Sequence, residues 1–522
     1  MKKLSALLAV AAASALALGA CVVPSTPVRP SKPAKPVNAA VDPKLREYYT
    51  QKLQWKPCRE RNFECAEMQV PLDYAKPDGS HAQIALKRRE SNDPAKRLGT
   101  LVMNPGGPGG SGLDSLSSDN LGYFFTPEVR EYYSILSFDP RGVGASKPTI
   151  KCRTPQQLDA DNAAYYDVLT PEGRKQALAE TKRLGQECQA GSPEMIRYAS
   201  TENTARDLDI LRAVVGDERL NYLGYSYGTY LGAIYADLFP NRVGRFVLDG
   251  VLDPTSNINE VAALQAGGFE ASLREFSKQC QKYHAEECPL HGGEAAGMKQ
   301  IRALLATLVT TPMPTDDPSR QLTVSLALTG MIGSMYNSYS WWQTLMPALD
   351  QAMNSNDGTQ LLDSADFYNS RNADGTYKDN STDAFIVINS LDYTPVGDQA
   401  SWDQDAAKLM KDCPTLGRFF VYSSMGADLW PVPGDPKAKR QVNPKTRDNI
   451  LLVGSTGDPA TPYAMANHVR KMMTRSRLLT LESWDHTSYN SMAPKCISKT
   501  VDDYLISGQL PDSLQSGLCS IE

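Results

Sequence analysis

At 522 residues, 41% of them hydrophobic and 22% charged, the chain has the balance of an ordinary globular protein and is long enough for several domains or one large domain carrying an insertion. Its formal net charge of −5 offers no basic field to nucleic acid, and the longest basic run, Lys87-Arg88-Arg89, stops at Glu90 and reads as a solvated strand end. No Cys-x-x-Cys or His-x-x-x-His pair occurs, so neither a metal nor another cofactor is expected.

In chain order, Lys2 and Lys3 precede an apolar run over residues 4–20 that closes in Leu18-Gly19-Ala20-Cys21. Residues 1–20 therefore read as an export signal. The closing tetrapeptide resembles the lipobox of bacterial lipoproteins, which implies lipidation of Cys21; plain secretory cleavage is the competing reading. Residues 21–45, rich in Pro with Lys and Ser interleaved, read as a semi-extended tether. The expectation is an exported protein, held at the membrane only through its lipid or else secreted. Export makes the remaining nine of the ten cysteines candidates for pairing. Near neighbours suggest Cys58 with Cys65, Cys280 with Cys288 and Cys496 with Cys519; Cys152 with Cys188 closes a longer loop, and Cys413 is left over.

Residues 68–72 and 82–87 look like strands joined through Lys76-Pro77-Asp78-Gly79, an N-terminal hairpin. The apolar run 101–103 leads into Asn104-Pro105-Gly106-Gly107-Pro108-Gly109-Gly110-Ser111-Gly112. This loop lacks the phosphate-binding glycine signatures, and reads instead as backbone N–H groups aimed at a developing oxyanion. A further strand is expected at 135–138 and a polar, helix-like stretch across the 160s to 190s. Ala205, Leu208, Leu211 and Val215 mark one face of a helix with Thr201 available as its cap and Gly216 as its stop. A short strand at 220–223 runs into Gly224-Tyr225-Ser226-Tyr227-Gly228, followed by a helix through Tyr230, Ile234 and Leu238 that Pro240 ends. The next strand, 245–248, carries Asp249 at its end.

From about residue 255 to 445 the strand–helix rhythm gives way to amphipathic helical stretches at 261–280, 298–309 and 346–353, read as a helical cap or lid. The rhythm resumes with strands at 449–453 and 478–483, separated by a helix from Tyr463. The division is thus a core over 46–254 and 446–522, with the insertion 255–445 between its parts.

Gly-x-Ser-x-Gly after a strand and before a helix is the nucleophile elbow of α/β-hydrolases, whose triad runs Ser, then Asp or Glu, then His along the chain. Ser226, Asp458 and His486 obey that order, each just past a predicted strand where parallel sheets gather functional residues. Asp249 is the rival acid; Asp485 is adjacent to the histidine it would orient, and His468 lies within a helix. In this arrangement His486 takes the proton from Ser226, Asp458 fixes the ring, and the N–H groups of Tyr227 and Gly107 hold the oxyanion. The fold class is α/β, a doubly wound, mostly parallel sheet with a large, mainly helical cap.

Residues 201–254, with Gly-Tyr-Ser-Tyr-Gly-Thr-Tyr-Leu-Gly and Val-Leu-Asp-Gly-Val-Leu-Asp-Pro, together with 104–112, resemble the secreted actinobacterial tripeptidyl aminopeptidases, within the proline iminopeptidase-like serine peptidases. The similarity extends from about Trp55 to Cys519. It implies an exopeptidase that releases short peptides from substrates with free N-termini. Two departures stand out: the family's glycines either side of the catalytic histidine are here Asp485 and Thr487, and a cysteine pair expected near residues 388–392 and before a later tryptophan is absent. A carboxylesterase or lipase-like hydrolase using the same triad, and a binding module that has kept the fold, are the alternatives.

Overall fold

The apolar runs expected between residues 101 and 483 all form strands, and three of those strands are buried at every position. Strands covered on both faces lose the in-out alternation of polarity and read as continuous hydrophobic runs. The computed structural model describes residues 42–522; Cys21, the export segment and most of the tether lie outside the described residues. The strands are β1 (Lys56–Pro57), β2 (Glu64–Pro71), β3 (His81–Arg89), β4 (Gly99–Asn104), β5 (Tyr133–Phe138), β6 (Leu220–Tyr225), β7 (Val243–Asp249), β8 (Ile450–Ser455), β9 (Ser476–Leu481), β10 (Leu514–Gln515) and β11 (Cys519–Ile521). They form one sheet in the order β1-β2-β3-β5-β4-β6-β7-β8-β9-β11-β10. The stretch from β5 to β9 is parallel throughout, and antiparallel strands extend it at both ends.

Successive side chains of the central strands go to opposite faces. Val102, Tyr222, Phe246, Leu248, Ile450 and Leu452 pack against Leu208, Leu211, Leu231 and Ile234 of the helices Thr201–Val214 and Tyr227–Leu238. Leu101, Met103, Leu223, Val247, Leu451 and Val453 join Val129, Val501 and Leu505 on the other face, from the helices Pro127–Tyr132 and Lys495–Ser507. A third core lies within the insertion, where Leu273, Met298, Ile301, Met331, Trp341 and Leu349 meet without a sheet. Its helices include Ile258–Tyr283, Glu294–Thr310, Val324–Met335, Met346–Ser355 and Thr359–Tyr368.

Several expectations shift in detail. The helix Ser381–Asp392 falls inside 255–445, but its Ala384, Val387, Ile388 and Leu391 pack into the sheet's own core, as do Trp430, Val432 and Val442. Ser200, not Thr201, caps the helix Thr201–Val214, its hydroxyl accepting from the N–H of Asn203. Thr201 is buried and hydrogen-bonds Asp392 instead. The hairpin β2–β3 forms with continuous antiparallel register. Lys87 within it is not solvated: its Nζ lies over the Phe63 ring and pairs with Glu60 at 2.5 Å. All four cysteine pairings expected from spacing are present, and Cys413 is free and buried, its thiol pushed up to about 11 by burial.

Candidate active site

The elbow is where local sequence and tertiary packing meet. Ser226 sits between β6 and the helix Tyr227–Leu238 at φ 54°, ψ −124°, a conformation strained for any residue with a Cβ. Both flanking glycines are required by space. A Cβ at Gly224 would stand 2.4 Å from the carbonyl oxygen of Gly228, and one at Gly228 would stand 2.8 Å from that of Asn104. The turn exposes part of Ser226 while its N–H is held by the carbonyl of Asp249 at 2.9 Å.

The glycine loop after β4 comes down onto this turn. A Cβ at Gly106 would meet the carbonyl oxygen of Tyr225 at 2.5 Å, Ser226 Cβ at 3.0 Å and the Tyr227 nitrogen at 3.2 Å. Among the described residues, no hydrogen bond uses the N–H of Gly107 or of Tyr227, so both are free to donate.

Asp458 lies three residues beyond β8 and is almost wholly buried. Its Oδ1 accepts from the N–H groups of Ala460 and Thr461 at 2.9 and 2.8 Å, and its two oxygens lie 2.9 and 3.0 Å from His486 Nδ1. Burial pulls the His486 imidazole down, but the adjoining Asp458 carboxylate, through its charge and hydrogen bond, more than offsets this and leaves the ring above its usual value. With Nδ1 turned to the carboxylate, Nε2 is the nitrogen left to exchange a proton. No hydrogen bond yet links it to Ser226 Oγ; such contacts commonly tighten only with substrate.

The rival groups are otherwise engaged. The Asp249 carboxylate accepts from the N–H of Ser488 and of Tyr489. Asp485 accepts from the Ser338 N–H and the Ser483 hydroxyl. His468 is half exposed and pairs with Asp253 at 2.5 Å.

Residues 99–286 match the family model described as alpha/beta hydrolase fold, and residues 413–517 the one described as TAP-like protein. Serine protease Hip1 of Mycobacterium tuberculosis is 34% identical over 484 residues, covering 89% of this chain and 90% of its own. The chain belongs to the α/β-hydrolase serine peptidases. Carboxylesterase B of Mycobacterium tuberculosis is similar at 32% identity, covering 88% of each chain. The tripeptidyl aminopeptidase of Streptomyces lividans is similar at 29%, covering 88% of this chain and 85% of its own.

Two features of this serine hydrolase escape sequence reasoning. Thr461 donates its hydroxyl to Asp458 Oδ2 at 2.8 Å and lies 3.3 Å from His486 Nδ1, fastening acid and ring together. An Asp followed three residues on by a Thr is a local signal for such a side-chain turn, though a common one. Tyr336, from the insertion, stands edge-on to the His486 ring at 5.0 Å and 90°, and its carbonyl accepts the His486 N–H at 2.8 Å. Nothing in the spacing around Tyr336 announces this. Thr487 adopts φ 69°, the left-handed region a glycine would enter freely, so the substituted position keeps a glycine-like backbone at the cost of strain.

Proposed function

We propose that the chain is an exported, cell-surface serine exopeptidase that releases short peptides, tripeptides foremost, from free N-termini. Ser226 Oγ attacks the scissile carbonyl carbon as His486 Nε2 takes its proton, and the tetrahedral oxyanion is held by the N–H groups of Gly107 and Tyr227. The imidazolium, stabilised by Asp458, then protonates the departing amine, leaving an acyl-enzyme. Water, deprotonated by the same ring, attacks that ester and restores Ser226. The N-terminal fragment leaves as a free acid.

The observation that carries the reading is the imidazole itself, bonded on one side to Asp458 and roofed on the other by Tyr336 of the helical insertion. A base under such a roof suits the end of a peptide better than the middle of a long chain. The relatives named as a serine protease and a tripeptidyl aminopeptidase support peptide as substrate. Mass spectrometry of a peptide library after incubation with wild type and Ser226→Ala tests it. N-terminal di- or tripeptides released only by wild type are expected; cleavage inside N-acetylated peptides would sink the exopeptidase assignment.

The relative named carboxylesterase B favours a second reading, ester hydrolysis by the same triad. Acyl esters turned over faster than every peptide in the library would select it. Surface attachment through Cys21 is checked separately. A diacylglyceryl group on an N-terminal Cys21 is expected, and Cys21→Ala is expected to move the enzyme into the medium.

A further inference from the structure

Asp249, the last residue of β7, is completely buried, and its main chain and side chain do different things. The carbonyl accepts the Ser226 N–H at 2.9 Å. The carboxylate accepts the Ser488 N–H at 3.0 and 2.9 Å to its two oxygens and the Tyr489 N–H at 2.6 Å. One residue therefore grips both the backbone of the nucleophile and the loop that carries His486.

We propose that Asp249 is a positioning residue whose carboxylate sets the approach of His486 to Ser226, separately from the acid that orients the ring. This rests on the triad assignment made above. The loop between β9 and the helix Lys495–Ser507 has no regular structure around His486, so its placement depends on discrete anchors. Upstream these are the Tyr336 carbonyl on the His486 N–H and the Ser338 N–H on Asp485. Just downstream they are the Asp249 carboxylate and the Tyr225 hydroxyl, which donates to the Tyr489 carbonyl at 3.1 Å. Between the two sets Thr487, whose N–H donates to Asp458 Oδ2 at 3.4 Å, holds its left-handed conformation, which persists only where the surroundings over-determine it. Among the described residues the buried Ser488 hydroxyl finds no partner, so the backbone N–H and not the side chain is what fastens that residue.

A carboxylate is a costly choice for a wholly buried site unless it is bonded and its charge is used. Burial, helped by the Asp458 charge, outweighs the N–H bonds from Tyr489 and Ser488 and the His486 charge, and leaves Asp249 pushed up to about 7. Tyr225 of β6 and Tyr123 of the helix Ser118–Phe124 are the other titratable groups that feel it. Its negative charge in turn favours protonated His486. The carboxyl and the imidazole thus interact directly, each raised above its ordinary value, and the conformation that catalyses is the one with Asp249 ionised and both N–H bonds made.

The test compares full-length wild type with Asp249→Asn, Asp249→Ala, Ser226→Ala and Asp458→Asn on a tripeptide anilide with a free N-terminus, as kcat and KM across pH. Saturating fluorophosphonate labelling counts competent serines, and thermal unfolding reports folding. Asp249→Asn is expected to lower kcat about tenfold and Asp249→Ala about a hundredfold, the scale of a displacement near 1 Å, with KM within about twofold and one labelled serine per chain. The acid limb of kcat should require two protons in wild type and one in Asp249→Asn, a change that a merely structural residue would not produce. If the alanine variant does not fold, the asparagine variant, of equal volume, decides. Wild-type kcat with an unchanged acid limb in Asp249→Asn would overturn the proposal. So would near-normal Asp458→Asn alongside a ten-thousandfold loss in Asp249→Asn, which would make Asp249 the triad acid. Turnover surviving in Ser226→Ala would instead defeat the triad assignment.

Discussion

His486 is poised by opposing forces, and the sign of their balance fixes its pH behaviour. Burial favours the neutral ring; the Asp458 carboxylate at 2.9 Å favours the charged one and prevails. As the proposed base, His486 must be neutral to accept the Ser226 proton, so kcat/KM should rise with pH through a midpoint above the ordinary value of about 6.5. Asp458→Asn removes the charge that raises the ring, and should both shift this limb to lower pH and cut kcat by about ten-thousandfold, read from a pH–rate profile. Ser226 and His486 are legible in the sequence because each lies within a few residues of a strand end, whereas the order Ser, acid, His admits Asp249 as well as Asp458. Thr461 is not legible, because its hydroxyl matters only once the turn after β8 has closed on Asp458.

Among the elements, the elbow tolerates no Cβ at its glycines. The contact at Gly224 is with backbone, which cannot rotate away, so Gly224→Ala should destabilise the protein by about 1–3 kcal/mol, seen as a lowered melting temperature with weakened fluorophosphonate labelling. The roof is joined to the core by a contact that can be loosened alone. Asp485 accepts the Ser338 N–H at 2.7 Å, and its replacement by alanine strands that amide. Loss of about 1 kcal/mol there should speed hydrogen exchange at Ser338 roughly fivefold while leaving the sheet amides unchanged. Elements of the sheet are readable because a short apolar run between turn signals has few other fates. The helices of the insertion are readable as helices, but their apolar faces do not say which core they enter. Ser381–Asp392 shows this, since its Val387 and Ile388 serve the sheet and not the cap.

At the scale of the molecule, a sheet with two cores and a roof with a third are held partly by covalent links. Cys152 and Cys188 close a loop of 36 residues, which by chain entropy stabilises the fold by about 4 kcal/mol. Replacing both with serine should lower the denaturant midpoint accordingly, whereas replacing the free Cys413 with serine should move it far less. Near neighbours in sequence were sufficient to pair six of the bonded cysteines, because a short loop costs little to close, while Cys152 and Cys188 close the longer one. The sequence by itself determined the local chemistry of this protein: the elbow with its two glycines, the donor loop, and an acid and a base at late strand ends in the required order. Only the tertiary structure decided which acid meets the imidazole and what covers it. Asp249 ends one parallel strand, Asp458 follows its neighbour, and both are buried carboxylates. The path of one irregular loop, pinned by Tyr336 above and Asp249 below, turns His486 toward Asp458.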